Sequence, residues 1–200
     1  MEIIENGVNV EAFIPKEREG SMRRMVFITV ARLTKRKGLQ TLLHAFGEAV
    51  RMGHRPLELW LVGDGEERSF LQAEAKRLGV DGQVKFLGQV DHEKIAELYQ
   101  QAQVFVLPSK NEGMSNAVLE ALASGLPLVV SGTGGMQEIV EEGKNGFFVN
   151  SDDTPSFSEK LLLLAEDSGL REALGKESRR RAEERSWKRV ADEFLRVVRV

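Results

Sequence analysis

The sequence contains no cysteine, which excludes disulfides and thiolate metal sites. Its three histidines, His44, His54 and His92, are scattered without ligand spacing, so no metal site is expected. Aromatic residues make up only 6% of the chain, and 28 basic against 31 acidic residues leave a net charge of −3. A chain with no basic field and few rings for base stacking is not a nucleic-acid binder. No apolar run approaches the ~18 to 20 residues needed to cross a bilayer, and the opening MEIIENGVNV has no apolar core of a signal peptide. The expectation is a soluble, cytoplasmic protein without a metal cofactor.

With 200 residues, 42% hydrophobic and 30% charged, the chain can bury one substantial core, and a single domain spanning 1–200 is expected. Short apolar runs mark six candidate strands: 25–31, 57–63, 84–88, 104–109, 126–132 and 146–150. Most are almost continuously apolar, as strands covered on both faces are. Helical spacing fills the intervals, at 38–52, 66–78, 92–102, 116–124 and 135–142. This alternation predicts an α/β fold built on a doubly wound parallel sheet. After residue 153 the strands stop and two or three C-terminal helices follow, the first opened by Thr154 and Pro155. There is no internal repeat and no low-complexity linker.

In such a sheet, ligands bind beyond the carboxyl ends of the strands, near the point where strand order reverses. The residues that follow strands therefore carry the functional information. ARLTKRKG (31–38) puts Arg32, Lys35, Arg36 and Lys37 on a strand-to-helix turn, beside the amides of the helix that follows. That outlines an anion site, although a solvated basic loop has the same composition. It lacks the glycine spacing of a Walker A loop. GDGEERSF fails a dinucleotide fingerprint at Arg68 and reads as a glycine turn capped by Asp64. GTGG (132–135) is another glycine-rich turn, a weak signal alone.

NEGMSNAVLEALASGLPLVV (111–130) sets Glu112 in a loop and Glu120 in the helix after it, with Ser115 or Asn116 as the cap. Free amides at that helix start suit a phosphate. A carboxylate can take two O–H donors, as vicinal hydroxyls of a sugar or ribose offer. Either acid could instead be an ordinary helix-end or surface charge. Glu120, however, sits among Ala117, Val118, Leu119, Ala121 and Leu122, an apolar setting that calls for a partner.

Taken in order, these residues resemble the retaining nucleotide-sugar glycosyltransferases of the two-domain GT-B fold, the group 1 or family 4 class. NGVNVEAFIP resembles the entry to the C-terminal domain, VARLTKRKG the phosphate turn, and LWLVGDG and VKFLGQV the strands beside the nucleotide. NEGMSNAVLEALASGLPLVV resembles the family's paired-glutamate signature, and GGMQEIVEEGKNGFFV its glycine-rich turn and next strand. Ala31 replaces the commoner glycine, and Gln137 stands where proline is usual.

The resemblance implies a Rossmann-like half of a GT-B enzyme that binds a nucleoside diphosphate sugar, for instance a UDP-sugar. It implies that Arg32 and Lys37 clamp the diphosphate and that Glu112 binds the sugar hydroxyls. Glu120 would accept from the ribose, and Gly113, Met114, Ser115 and Asn116 would contact sugar and distal phosphate. Val84, Lys85, Phe86 and Leu87 would line the base pocket through their backbone. The transfer would need no metal. An N-terminal acceptor domain would be missing from this chain, and the last helix, 187–198, would return toward it. The alternatives are a non-catalytic nucleotide-binding or regulatory module and, less well matched, an NAD-binding domain. Residues 171–189 carry eight basic and four acidic side chains, either a solvated helix face or a peripheral membrane contact of the whole enzyme.

Overall fold

The apolar runs become strands because their faces meet hydrophobic layers, on both sides everywhere except at one edge strand, where Lys85 and Leu87 are exposed. In the computed structural model, which describes residues 6–16 and 24–198, the strands are β1 (Met25–Val30), β2 (Leu57–Val62), β3 (Val84–Gly88), β4 (Val104–Leu107), β5 (Leu128–Val130) and β6 (Gly146–Phe148). They form one sheet in the order β3-β2-β1-β4-β5-β6, and every pairing is parallel. Along β1, Met25 and Phe27 enter one core while Val26 and Ile28 enter the other; along β4, Val104 and Val106 oppose Phe105 and Leu107 in the same way. Period-2 alternation is present, but both sides are apolar, which is why the sequence shows continuous runs.

The first core packs the sheet against α1 (Leu39–Met52), α2 (Arg68–Arg77) and α6 (Thr154–Glu166) through Leu42, Phe46, Leu71, Phe157 and Leu161. The second packs it against α3 (His92–Gln101), α4 (Asn116–Ala123) and α5 (Met136–Ile139) through Tyr99, Val118, Leu122 and Ile139. Helix α7 (Ser168–Glu184) contributes Leu174 to one layer and Ala182 to the other. The chain fills the sheet outward from β1 to β3, then crosses back to lay β4 on the other side of β1. The loops after β1 and β4 therefore leave the sheet edge on either side of this reversal.

Three helices differ in length or capping from their sequence expectation. Helix α5 is a single turn rather than 135–142, because the Asn145 side chain accepts from the Glu141 amide and donates to the Ile139 carbonyl. These bonds replace the ones a longer helix would make. Asp64 does not cap α2; its carboxylate accepts from the Gly65 amide and pairs with Arg68 at 2.8 Å. At α6 the cap is Asp153, which accepts from the Ser156 amide, with Pro155 inside the first turn.

The N-terminal segment 6–16 runs across the second helical layer. Val8 exchanges backbone hydrogen bonds with Arg185 and Trp187, and Arg179 of α7 donates to the carbonyls of Val10, Phe13 and Ala123. The last helix, α8 (Trp187–Val198), leaves Trp187, Phe194 and Leu195 about half exposed, at 54, 52 and 47%. Val190 is half-buried, and the Val198 side chain lies outside the described residues. Among the described residues, no helix is long and apolar enough to cross a membrane.

Candidate functional site

The loops at the carboxyl edge of the sheet are tied to one another by backbone bonds. The Lys110 amide donates to the Arg36 carbonyl at 2.8 Å, which joins the loop after β4 to the loop after β1. A Cβ at Gly38 would lie 2.2 Å from the Pro108 carbonyl oxygen, so only glycine allows the two loops this approach. The Ser109 hydroxyl lies 3.3 Å from the Arg36 carbonyl, and Thr133, after β5, donates its hydroxyl proton to the Ser109 carbonyl at 3.2 Å. On the other side, Leu33 donates to the Asp64 carbonyl and Glu67 to the Leu33 carbonyl, joining the loops after β1 and β2.

Within this rim Lys37 and Glu112 meet. Lys37 Nζ lies 2.5 Å from Glu112 Oε2, and the two side chains are only 13% and 14% exposed. Residues from the loops on either side of the strand reversal thus form one largely desolvated ion pair. Glu112 is held from behind as well, since Gly134 approaches so closely that a Cβ there would lie 1.7 Å from the Glu112 carbonyl oxygen. Arg32 is exposed, and no hydrogen bond or ion pair engages its guanidinium among the described residues. It is available to an anion.

Helix α4 starts next to this pair. Ser115 is its cap residue, is buried, and makes no side-chain capping bond among the described residues; its carbonyl accepts from the Val118 amide at 3.1 Å, and the amides of Asn116 and Ala117 are left without an intrahelical acceptor. Gly113 and Asn116 are exposed, and Met114 packs partly into the second core. Further along α4, Glu120 is 13% exposed on its side chain and has the partners its apolar surroundings call for. His92 Nε2 donates to Oε1 at 3.0 Å and the Tyr99 hydroxyl lies 3.3 Å from Oε2. Burial pushes the Glu120 carboxyl above the usual carboxylate range, against the opposing pull of His92 and Tyr99.

An open cleft of about 780 Å³ lies at the ends of β1, β2 and β3. Val30, Val62, Val90 and Ile95 give it apolar walls, while Arg32, Asp64 and Gln89 add polar groups. Its size and mixed lining suit a nucleoside-sized ligand. The family resemblance pointed to Val84–Leu87 for a base pocket, and the cleft is lined a few residues further on, at Gln89 and Val90. Val84 is part of the first core and Phe86 packs against it. Lys85 pairs with Glu58 and stands 5.5 Å over the Trp60 ring, while Leu87 is exposed. Gln89 and Val90 were read only as the end of the VKFLGQV match and not singled out, because they follow the apolar run and match no phosphate or acid pattern. Their position directly after a strand was the available signal. Among the described residues, no group of three or more His, Asp or Glu side chains is placed to hold a metal ion.

The sequence profile of the glycosyl transferases group 1 matches residues 11–181. An uncharacterised glycosyltransferase of Methanocaldococcus jannaschii is 30% identical over 212 residues, an alignment that covers 100% of this chain and 54% of that protein. Among solved structures, a sucrose-phosphate synthase from Thermosynechococcus elongatus superposes with a TM-score of 0.88 at 27% identity, over 99% of this chain and 52% of the other. Anabaena HepE, solved in complex with UDP, superposes with a TM-score of 0.88 at 22% identity, over 98% of this chain and 57% of the other. The chain spans about half the length of the curated relatives it matches.

Proposed function

This chain belongs to the glycosyl transferases group 1, and from that premise we propose that it is the donor-binding half of a retaining enzyme that moves a sugar from a nucleoside diphosphate to an acceptor hydroxyl. Its sheet and flanking helices are the Rossmann-like half of a GT-B fold. The observation that carries the proposal is the meeting of Lys37 and Glu112 across the strand reversal, beside the start of α4 and the open side of Arg32. Cations, free amides and an acid at one rim are what a phosphorylated sugar requires. HepE was solved with UDP, which fits the same reading.

In the reaction, the bond between the anomeric carbon and the donor phosphate oxygen breaks, and the acceptor oxygen bonds to that carbon on the same face. The acceptor proton passes to the departing phosphate oxygen. Arg32 and Lys37 stabilise the charge that grows on the leaving diphosphate, and the α4 amides add to it. Glu112 orients the sugar through its hydroxyls, and Glu120 accepts from the ribose. No step is assigned to a metal ion. The nucleoside occupies the cleft between Val30, Val62 and Val90.

The acceptor is held by a second, N-terminal α/β domain of the whole enzyme, which works in the cytoplasm. The exposed apolar face of α8 is the surface that domain covers. Without it the donor site stays open to water, so the 200-residue chain binds donor but turns over little or nothing.

Calorimetry with UDP, GDP, ADP and NAD tests the proposal. At least one nucleoside diphosphate is expected to bind and NAD is not. Binding of NAD with none of the nucleoside diphosphates would contradict it.

A further inference from the structure

Glu120 is gripped from both sides by α3, through two residues of opposite character. Its Oε2 faces the Tyr99 hydroxyl, which belongs to a ring with 0% exposure and lies 3.1 Å from the Ala117 carbonyl as well. Its Oε1 accepts from His92, whose side chain is 70% exposed. Phe13 packs edge-on against both rings, 5.5 Å from His92 and 5.9 Å from Tyr99.

We propose that Tyr99 is a positioning residue that fixes Glu120 by one oxygen, and that His92 covers the other until the ribose of the donor displaces it. This rests on the donor-site reading above and adds two residues to it. A ribose diol needs a carboxylate edge it can reach. The Tyr99 edge is closed, because the phenol is buried in the second core and anchored to Ala117. Burial, and then the Glu120 charge, also push the Tyr99 pKa far up, so the hydroxyl keeps its proton and remains a donor.

The other edge opens only through His92. This residue opens α3 between Val90 and Ile95, both of which line the cleft, so its contact with Glu120 lies beside that lining rather than within it. An exposed imidazole at the first turn of a helix swings aside at small cost. A tyrosine packed on Phe13 and Phe105 does not. The two contacts to one carboxylate therefore predict opposite effects: removing His92 frees an acceptor the ligand wants, and removing the Tyr99 hydroxyl loosens it.

The test is calorimetry on the 200-residue chain with the tightest of UDP, GDP and ADP and with its 2′-deoxy form. His92→Ala is expected to tighten the ribonucleotide about twofold to fivefold, the scale of one net hydrogen bond, and to leave the 2′-deoxy form unchanged. Tyr99→Phe is expected to weaken the ribonucleotide about threefold to tenfold, the worth of one hydrogen bond, with its melting temperature measured alongside. Because His92 is exposed, its variant folds and carries the test even if Tyr99→Phe does not. Unchanged or weaker ribonucleotide binding by His92→Ala, or an equal shift for both nucleotides, overturns the proposal while leaving the donor site standing. A wild-type chain that binds none of the three nucleotides overturns both.

Discussion

Lys37→Ala is expected to weaken nucleoside diphosphate binding by about 1.5 to 3 kcal/mol, the range of a charge-assisted hydrogen bond, and to destabilise the fold as well. The second effect separates it from Arg32→Ala. Lys37 and Glu112 are each more than four-fifths buried and lie 2.5 Å apart, so alanine at 37 strands a carboxylate with little water around it. That loss is about 1 to 3 kcal/mol, below the value for a fully buried pair because both side chains keep some solvent. Arg32 has no such partner among the described residues; its alanine variant is expected to lose affinity of the same order and to unfold at an unchanged denaturant midpoint. Adding Glu112→Gln to Lys37→Ala restores stability, since the stranded charge is gone, but does not restore affinity. Urea titrations and calorimetry on the three variants check both halves. Equal stability losses at Arg32 and Lys37 would show that the ion pair is not what holds the rim.

Gly134→Ala is expected to be comparably severe although residue 134 carries no chemistry. Its φ of 58° lies in the left-handed region, which costs a residue with a Cβ about 1 to 3 kcal/mol. The new methyl would also sit 1.7 Å from the Glu112 carbonyl oxygen, so the loop that carries Glu112 must move. A displacement on the order of 1 Å at a positioned group can cost about a hundredfold in turnover, and nucleotide affinity is expected to fall with it. Gly143→Ala is the control: φ is 72°, and among the described residues nothing lies within 4 Å of the added Cβ. It is expected to lose stability and keep its affinity. Loss of affinity in both variants would place the effect in general destabilisation rather than in the Glu112 loop.

All six strands were legible in the sequence, five because their runs are covered twice and the edge strand β3 because Val84 and Phe86 still mark its one buried face. Thr29 is a polar exception inside β1, and its hydroxyl donates to the Val106 carbonyl at 2.6 Å. Strand order was not legible, since apolar runs carry no record of which neighbour they join. Every strand but β3 also ends earlier than its apolar run, most clearly at Ser109 and Ser131, whose carbonyls accept from the Thr133 hydroxyl and the Thr133 amide respectively.

At the site, Arg32, Lys37, Glu112 and Glu120 stood out by type and position after strands. What they do to one another did not. The Lys37–Glu112 pair joins residues 75 apart, and nothing in either local pattern announces it. The expectation that Glu120 needs a partner was a burial argument and could be made from its neighbours; which partner could not. His92 and Tyr99 lie seven residues apart on one helix face, and nothing in that spacing gave a reason to read them with α4. The N-terminal segment has no periodicity, and its packing of Phe13 on that pair appears only in three dimensions.

A structure of this chain with a bound nucleoside diphosphate is the most direct measurement. The account predicts both phosphates at the rim between the loops after β1 and β4, within hydrogen-bond reach of Arg32, Lys37 and the first amides of α4, with the nucleoside in the cleft beside Val90. A nucleotide seated on another face, or a diphosphate out of reach of both Arg32 and Lys37, would contradict it.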